Sequence, residues 1–198
     1  MSKNIVMCFD GTNNEVTTDA TNVLRLFEML VRDERQVAYY DTGVGTLADP
    51  RAISGFRKWL SRKLDGAIGL SIRDNFCEAY RFLSRTYVPG DLLFLFGFSR
   101  GAYSARAVAG AIHMLGIVPP ELEGLADLAW AIYANDDQRL PMAQRFGGAD
   151  RFKALFSVRP WPRVHFVGVW DTVSSFGWVW NFKTLPYTSN NPSIDHVR

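Results

Sequence analysis

The stretch Leu92-Leu93-Phe94-Leu95-Phe96-Gly97-Phe98-Ser99-Arg100-Gly101-Ala102 constrains the fold of this chain more than any other. An apolar run ends at Gly-x-Ser-x-Gly, and a helix-like sequence follows at once. A strand that turns directly into a helix lifts a serine hydroxyl above the end of a sheet. Gly97 and Gly101 stand where a side chain would clash in so sharp a turn, and Ala102, Ser104 and Ala105 keep the first helical turn small. The pattern predicts a nucleophile elbow at Ser99, and with it a hydrolase that works through a covalent acyl intermediate. A plain strand-to-helix turn with a capping serine is the alternative.

The rest of the chain alternates in the same way. Near-continuous apolar or aromatic runs predict strands over Asn4 to Phe9, Gln36 to Tyr40, Leu92 to Phe98 and Val164 to Trp170. Amphipathic runs predict helices over Asn22 to Arg32, Ile53 to Leu64, Ile68 to Tyr87, Ala102 to Leu115 and Glu121 to Ala134. A further helix is expected within Met142 to Phe156, interrupted at Gly147-Gly148. This alternation predicts an α/β fold, a mostly parallel sheet with helices on both faces. With 198 residues, 47% of them hydrophobic, the chain has enough apolar surface for one core and reads as a single α/β-hydrolase-like domain over residues 1–198. The segment from Ser175 to Arg198 has no clear period and reads as a long loop, so the sheet is expected to be incomplete at the C-terminal side.

Three predicted strands end in aspartate: Phe9-Asp10-Gly11-Thr12, Tyr40-Asp41-Thr42-Gly43 and Trp170-Asp171-Thr172. In an open parallel sheet, ligands bind outside the carboxyl ends of the strands, so Asp10, Asp41, Ser99 and Asp171 are expected on one rim. Each aspartate taken singly is also a good turn former. Asp171 follows Ser99 in the order that an α/β-hydrolase triad requires, and its role would be to orient a histidine. The backbone N–H of Arg100 is the expected oxyanion donor, with Gly11 or Thr12 supplying the second; an ordinary Asx-turn is the competing reading of that loop. Asp10 and Asp41 are expected to border the substrate.

The general base is harder to place. His113 lies in an apolar helix and reads as a packed core residue, whereas His165 begins the strand that leads to Asp171. Six strand residues span roughly 20 Å, which puts His165 at the far end of the sheet. His196 comes in the right order, but no strand precedes it. No cofactor or metal is expected.

Four blocks taken together resemble a known family. They are Cys8-Phe9-Asp10-Gly11-Thr12-Asn13-Asn14, Tyr39-Tyr40-Asp41-Thr42-Gly43-Val44-Gly45-Thr46, Gly97-Phe98-Ser99-Arg100-Gly101-Ala102-Tyr103-Ser104-Ala105-Arg106 and Val167-Gly168-Val169-Trp170-Asp171-Thr172-Val173. In this order they are similar to the catalytic domain of type VI secretion phospholipase effectors of the first lipase family. The resemblance implies an α/β-hydrolase fold, phospholipase activity and a Ser-Asp-His triad, with Ser99 matching the nucleophile and Asp171 the acid. It also implies a lipid ester substrate, export by type VI secretion, and a partner in the secretion apparatus or an immunity protein. The family's histidine sits in a later Gly-Val-His-Ser-Asp-Val-Gly-Gly block. Here the sequence ends at His196-Val197-Arg198 without one, so the chain is expected to be the N-terminal part of a longer enzyme.

Other features bound the reading. A net charge of +2 gives no reason to expect a nucleic-acid partner, and two cysteines, Cys8 and Cys77, make no disulfide framework. The N-terminal apolar run ends at Asp10, too short for a signal peptide, and the protein is expected to be made in the cytoplasm. Arg51, Arg57, Lys58, Arg62 and Lys63 surround Ile53, Phe56, Trp59 and Leu60, a basic amphipathic pattern that fits either transient contact with an anionic membrane or a solvated surface helix. Phe176, Trp178, Trp180, Phe182 and Tyr187 read as an acyl-chain pocket, a lid, or unpaired core surface. Two other functions stay open. One is a non-catalytic fragment or binding module. The other is a metal-dependent phosphatase built on Asp10-Gly11-Thr12, although Cys8 stands where that motif needs an aspartate.

Overall fold

The computed structural model describes residues 2–11, 20–43, 72–134 and 142–172, with side chains in the last helix followed from residue 146. Four strands, β1 (Asn4–Phe9), β2 (Gln36–Asp41), β3 (Leu92–Phe98) and β4 (Val164–Trp170), form one sheet. Their order is β2-β1-β3-β4 and every neighbouring pair is parallel. Among the described residues five α-helices accompany them: α1 (Asn22–Met29), α2 (residues 72–86), α3 (Arg100–Leu115), α4 (Ala126–Tyr133) and α5 (Met142–Phe156). The fold is α/β.

β1 lies inside the sheet, and from Ile5 to Phe9 it is apolar and buried, as a strand covered on both faces requires. Ile5, Met7 and Phe9 join Leu93 and Leu95 in the main core with residues of α2, α3, α4 and α5. Val6 and Cys8 point the other way and pack with Val23 of α1, beside Phe27, Tyr40 and Phe96. Burial, with Asp10 adding to it, pushes the Cys8 thiol up to about 12, so it stays a neutral packing group.

Each predicted strand forms, and β2 extends one residue further to Asp41. The helices differ more. α1 stops at Met29, three residues short of the prediction, and Leu30 is already extended at φ −68°, ψ 128°. Its start is set by Thr21, whose side chain accepts the Leu24 N–H at 3.0 Å. The predicted helix over Glu121 to Ala134 is two elements, a 3₁₀ turn over Pro120–Leu125 and then α4. Pro120 at the first turn and Gly124 near the end favour the short, tight form. α5 runs unbroken through Gly147 and Gly148, because Ala149 and Phe152 are buried in the main core and hold it helical. α3 begins at Arg100, directly after Ser99. The basic stretch Arg51 to Lys63, the predicted helix over Ile53 to Leu64, and the aromatic run Phe176 to Tyr187 lie outside the described residues. No described helix is long and apolar enough to cross a membrane.

Candidate active site

Parallel pairing in register brings the carboxyl ends of all four strands to one edge. Phe9 pairs with both Asp41 and Gly97, and Phe98 pairs with Trp170. Asp10, Asp41, Ser99 and Asp171 therefore lie at or just beyond one edge of the sheet, as expected from the order of motifs.

Ser99 occupies the junction between β3 and α3 with φ 54° and ψ −116°. A residue with a side chain rarely adopts positive φ, and holding it there costs about 1–3 kcal/mol. The surroundings enforce it. The Ser99 N–H donates to the Trp170 carbonyl at 3.0 Å, which ties the turn to the end of β4. A Cβ on Gly97 would come within 2.6 Å of the Ala102 backbone, so the helix start can fold back on the strand only over glycine. A Cβ on Gly101 would come within 2.6 Å of the Asp10 carbonyl oxygen and still closer to Phe9. The two glycines let α3 begin against both its own strand and β1.

Asp171 follows Trp170 immediately, is exposed, and has φ 46°. Aspartate tolerates this left-handed conformation better than most residues. Since Trp170 pairs with Phe98, Ser99 and Asp171 each come one residue after a matched pair on adjacent strands.

Asp10 sits differently from a substrate-facing group. It is 1% exposed, and its carboxylate meets donors from three directions. Oδ1 accepts the Gly11 N–H at 2.7 Å, and Oδ2 accepts Thr21 Oγ1 at 2.6 Å and the Tyr40 hydroxyl at 2.7 Å. Burial pushes the Tyr40 phenol pKa upward, and its bond to Asp10 adds to the shift, so Tyr40 stays a donor. Asp10 thus ties β1, the start of α1 and β2 together. The Gly11 N–H, a candidate oxyanion donor, is engaged by Asp10 here. Thr12, the other candidate from this loop, lies outside the described residues.

Asp41 is partly buried. Its Oδ1 accepts the Gly43 N–H at 2.9 Å, whereas its Oδ2 is buried with no hydrogen-bond partner among the described residues. Burial raises its pKa, the Gly43 N–H opposes this, and Glu78 and Asp10 raise it further.

Neither described histidine approaches Ser99. His113 is exposed on the last turn of α3, which corrects the expectation of a packed core residue; the helix turns its apolar face inward one residue earlier, at Ile112. Fourteen helical residues separate it from Ser99, roughly 20 Å along the axis. His165 is exposed near the start of β4, where the register shifts, and its ring lies 5.1 Å from that of Phe94. His196 lies outside the described residues.

Sequence reasoning did not foresee the roles of Tyr40 and Thr21 as donors to Asp10. The aromatic-Asp and Thr-x-x-Leu patterns are common, and only the fold brings them to one carboxylate.

A family model described as T6SS, phospholipase effector Tle1-like, catalytic domain, matches residues 3–198. The uncharacterized protein YEL023C of Saccharomyces cerevisiae is 34% identical over 206 residues, which take in 99% of this chain and 30% of the yeast protein. The chain thus spans less than a third of the length of that relative. No solved structure matches the present chain.

Proposed function

The chain belongs to the Tle1-like phospholipase effector catalytic-domain family, and on that premise we propose that it is the nucleophile-bearing part of a serine esterase that cleaves phospholipid or another lipid ester. The observation that carries this reading is Ser99 held at positive φ between β3 and α3, with glycine on both sides. Strained serines at strand-to-helix turns are positioned for chemistry.

In this mechanism Ser99 Oγ attacks the ester carbonyl carbon and gives its proton to a histidine. The resulting oxyanion is held by the Arg100 N–H, one of the donors at the start of α3 that have no partner within the helix, and by a second N–H from the loop after β1. Collapse breaks the bond to the alkoxy oxygen, and the alcohol leaves with the proton from the histidine. Water then cleaves the acyl-serine by the reverse proton path. Asp171 orients the imidazole and stabilises its charged form. The base lies outside the described residues; His196 is the candidate within this sequence. The family supports a lipid substrate, passage through a type VI secretion system and an immunity or apparatus partner as further parts of the proposal.

The test is labelling of the full-length protein with a fluorophosphonate, alongside release of fatty acid from phospholipid vesicles. Ser99→Ala is expected to abolish labelling and to lower turnover by at least about 10⁴-fold. Labelling that persists in Ser99→Ala, or Mg²⁺-dependent phosphatase turnover indifferent to that change, would refute the assignment.

A further inference from the structure

At the carboxyl edge of the sheet three pieces of backbone are stacked without side chains between them. The Phe9-Asp10-Gly11 segment is the middle layer. Gly101 of α3 presses on it from one side, where a Cβ would meet Phe9 and Asp10. Gly43 presses on it after β2. Its φ is 72°, and a Cβ there would come 2.6 Å from the Gly11 carbonyl oxygen and 2.7 Å from that of Asp10. Gly11 in turn lies against the catalytic turn, where a Cβ would come 3.4 Å from Ser99 Cβ and 3.1 Å from the Phe98 ring. The close contacts run from Gly43 to Gly11 to Ser99.

Among the described residues the Gly43 N–H donates to Asp41 Oδ1 at 2.9 Å, and the Gly43 carbonyl accepts the Thr42 hydroxyl at a longer 3.4 Å. The turn is further anchored where the Asp10 N–H donates to the Asp41 carbonyl at 2.8 Å. We propose that Asp41 is a positioning residue for the proposed esterase site: it seats Gly43 on Gly11 and so fixes the Gly11 backbone relative to Ser99. The inference rests on the esterase reading of Ser99. It assigns Asp41 no contact with substrate, and it assigns the work to one oxygen as an acceptor, not to the negative charge. Oδ2 is buried and accepts no hydrogen bond among the described residues. Burial and the nearby Glu78 and Asp10 carboxylates raise the Asp41 pKa, against the opposing Gly43 N–H.

An oxygen acceptor can be kept while the charge is removed. Asp41→Asn retains an oxygen for the Gly43 N–H, whereas Asp41→Ala removes it. Loss of a properly placed oxyanion donor lowers kcat by about 10²–10³-fold. In the full-length protein, with a short-chain soluble ester as substrate, Asp41→Ala is expected to lower kcat by about 10²-fold with KM within about threefold of wild type. The rate of fluorophosphonate labelling should fall in parallel. Asp41→Asn is expected to restore both to within about fivefold of wild type, across a pH range that spans carboxylate titration. Gly43→Ala, which displaces the stack by steric contact and leaves Asp41 intact, is expected to reproduce the Asp41→Ala defect. Wild-type behaviour in Asp41→Ala would overturn the proposal. So would an inactive Asp41→Asn that retains a cooperative thermal transition, since the charge would then be what matters. If Asp41→Ala does not fold, the contrast between Asp41→Asn and Gly43→Ala decides alone. Absence of labelling in the wild type would refute the esterase reading itself, a result separate from any of these.

Discussion

At the scale of single residues, the two glycines around Ser99 are fixed by distances to main chain, which cannot move aside as a side chain can. Gly101 is the more demanding, because its missing Cβ would enter the backbone of β1, a strand buried on both faces. Gly101→Ala is expected to destabilise the protein by about 3 kcal/mol, the upper part of the range for overpacking. The midpoint of urea unfolding checks this, and a shift smaller than that of an exposed-site substitution would show that the contact is soft. The Gly-x-Ser-x-Gly spacing was readable as a sharp turn from the local sequence, because glycine best tolerates such approach. That the second glycine answers to β1, and not merely to the turn, was not readable. Phe9 and Asp10 are some ninety residues away in sequence.

At the scale of elements, strands were more legible than helices. Each strand is a short run of mostly apolar or aromatic residues, and Asp10, Asp41 and Asp171 mark the carboxyl ends of three of them. Helix ends depend on caps and on what the helix touches. α5 is the clearest case, since Gly147 and Gly148 argue locally for a break, while buried Ala149 and Phe152 pull the segment into one helix against the core. Both glycines have open space where a Cβ would project. Gly147→Ala and Gly148→Ala are each expected to raise stability by about 0.5–1 kcal/mol, through higher helix propensity and a less flexible unfolded chain. Thermal unfolding of the two variants tests this. Neither change touches the candidate site, so turnover by the proposed esterase should be unaltered.

At the scale of the whole molecule, the central strands are joined at the end opposite the candidate site. The Asp91 side chain accepts the Lys3 backbone N–H at 2.9 Å, the Val88 N–H at 2.9 Å and the Lys3 ammonium, just before β3 and β1 begin. Burial works to raise the Asp91 pKa, but the Lys3 hydrogen bonds and charge and the Val88 N–H outweigh it, and the net shift is downward. A carboxylate held below its unfolded value stabilises the fold at higher pH and ceases to do so as pH falls through its folded pKa. Asp91→Asn is therefore expected to cost about 1.5–3 kcal/mol at neutral pH. The gap from wild type should close as pH drops below the ordinary aspartate value of 3.8. Denaturant unfolding of both proteins at a series of pH values measures it, and a gap that stays constant into acid would contradict the ion pair's role. The sequence by itself determined the α/β class, all four strands and the convergence of Asp10, Asp41, Ser99 and Asp171 on one edge. Apolar run length and the geometry of parallel strands leave little freedom there. Only the tertiary structure decided what each of these groups does at that edge. It buried Asp10 among Gly11, Thr21 and Tyr40, left one oxygen of Asp41 without a donor among the described residues, and turned His113 outward. Periodicity encodes which face of an element is apolar, but which donor meets which oxygen is set by contacts between segments far apart in the chain.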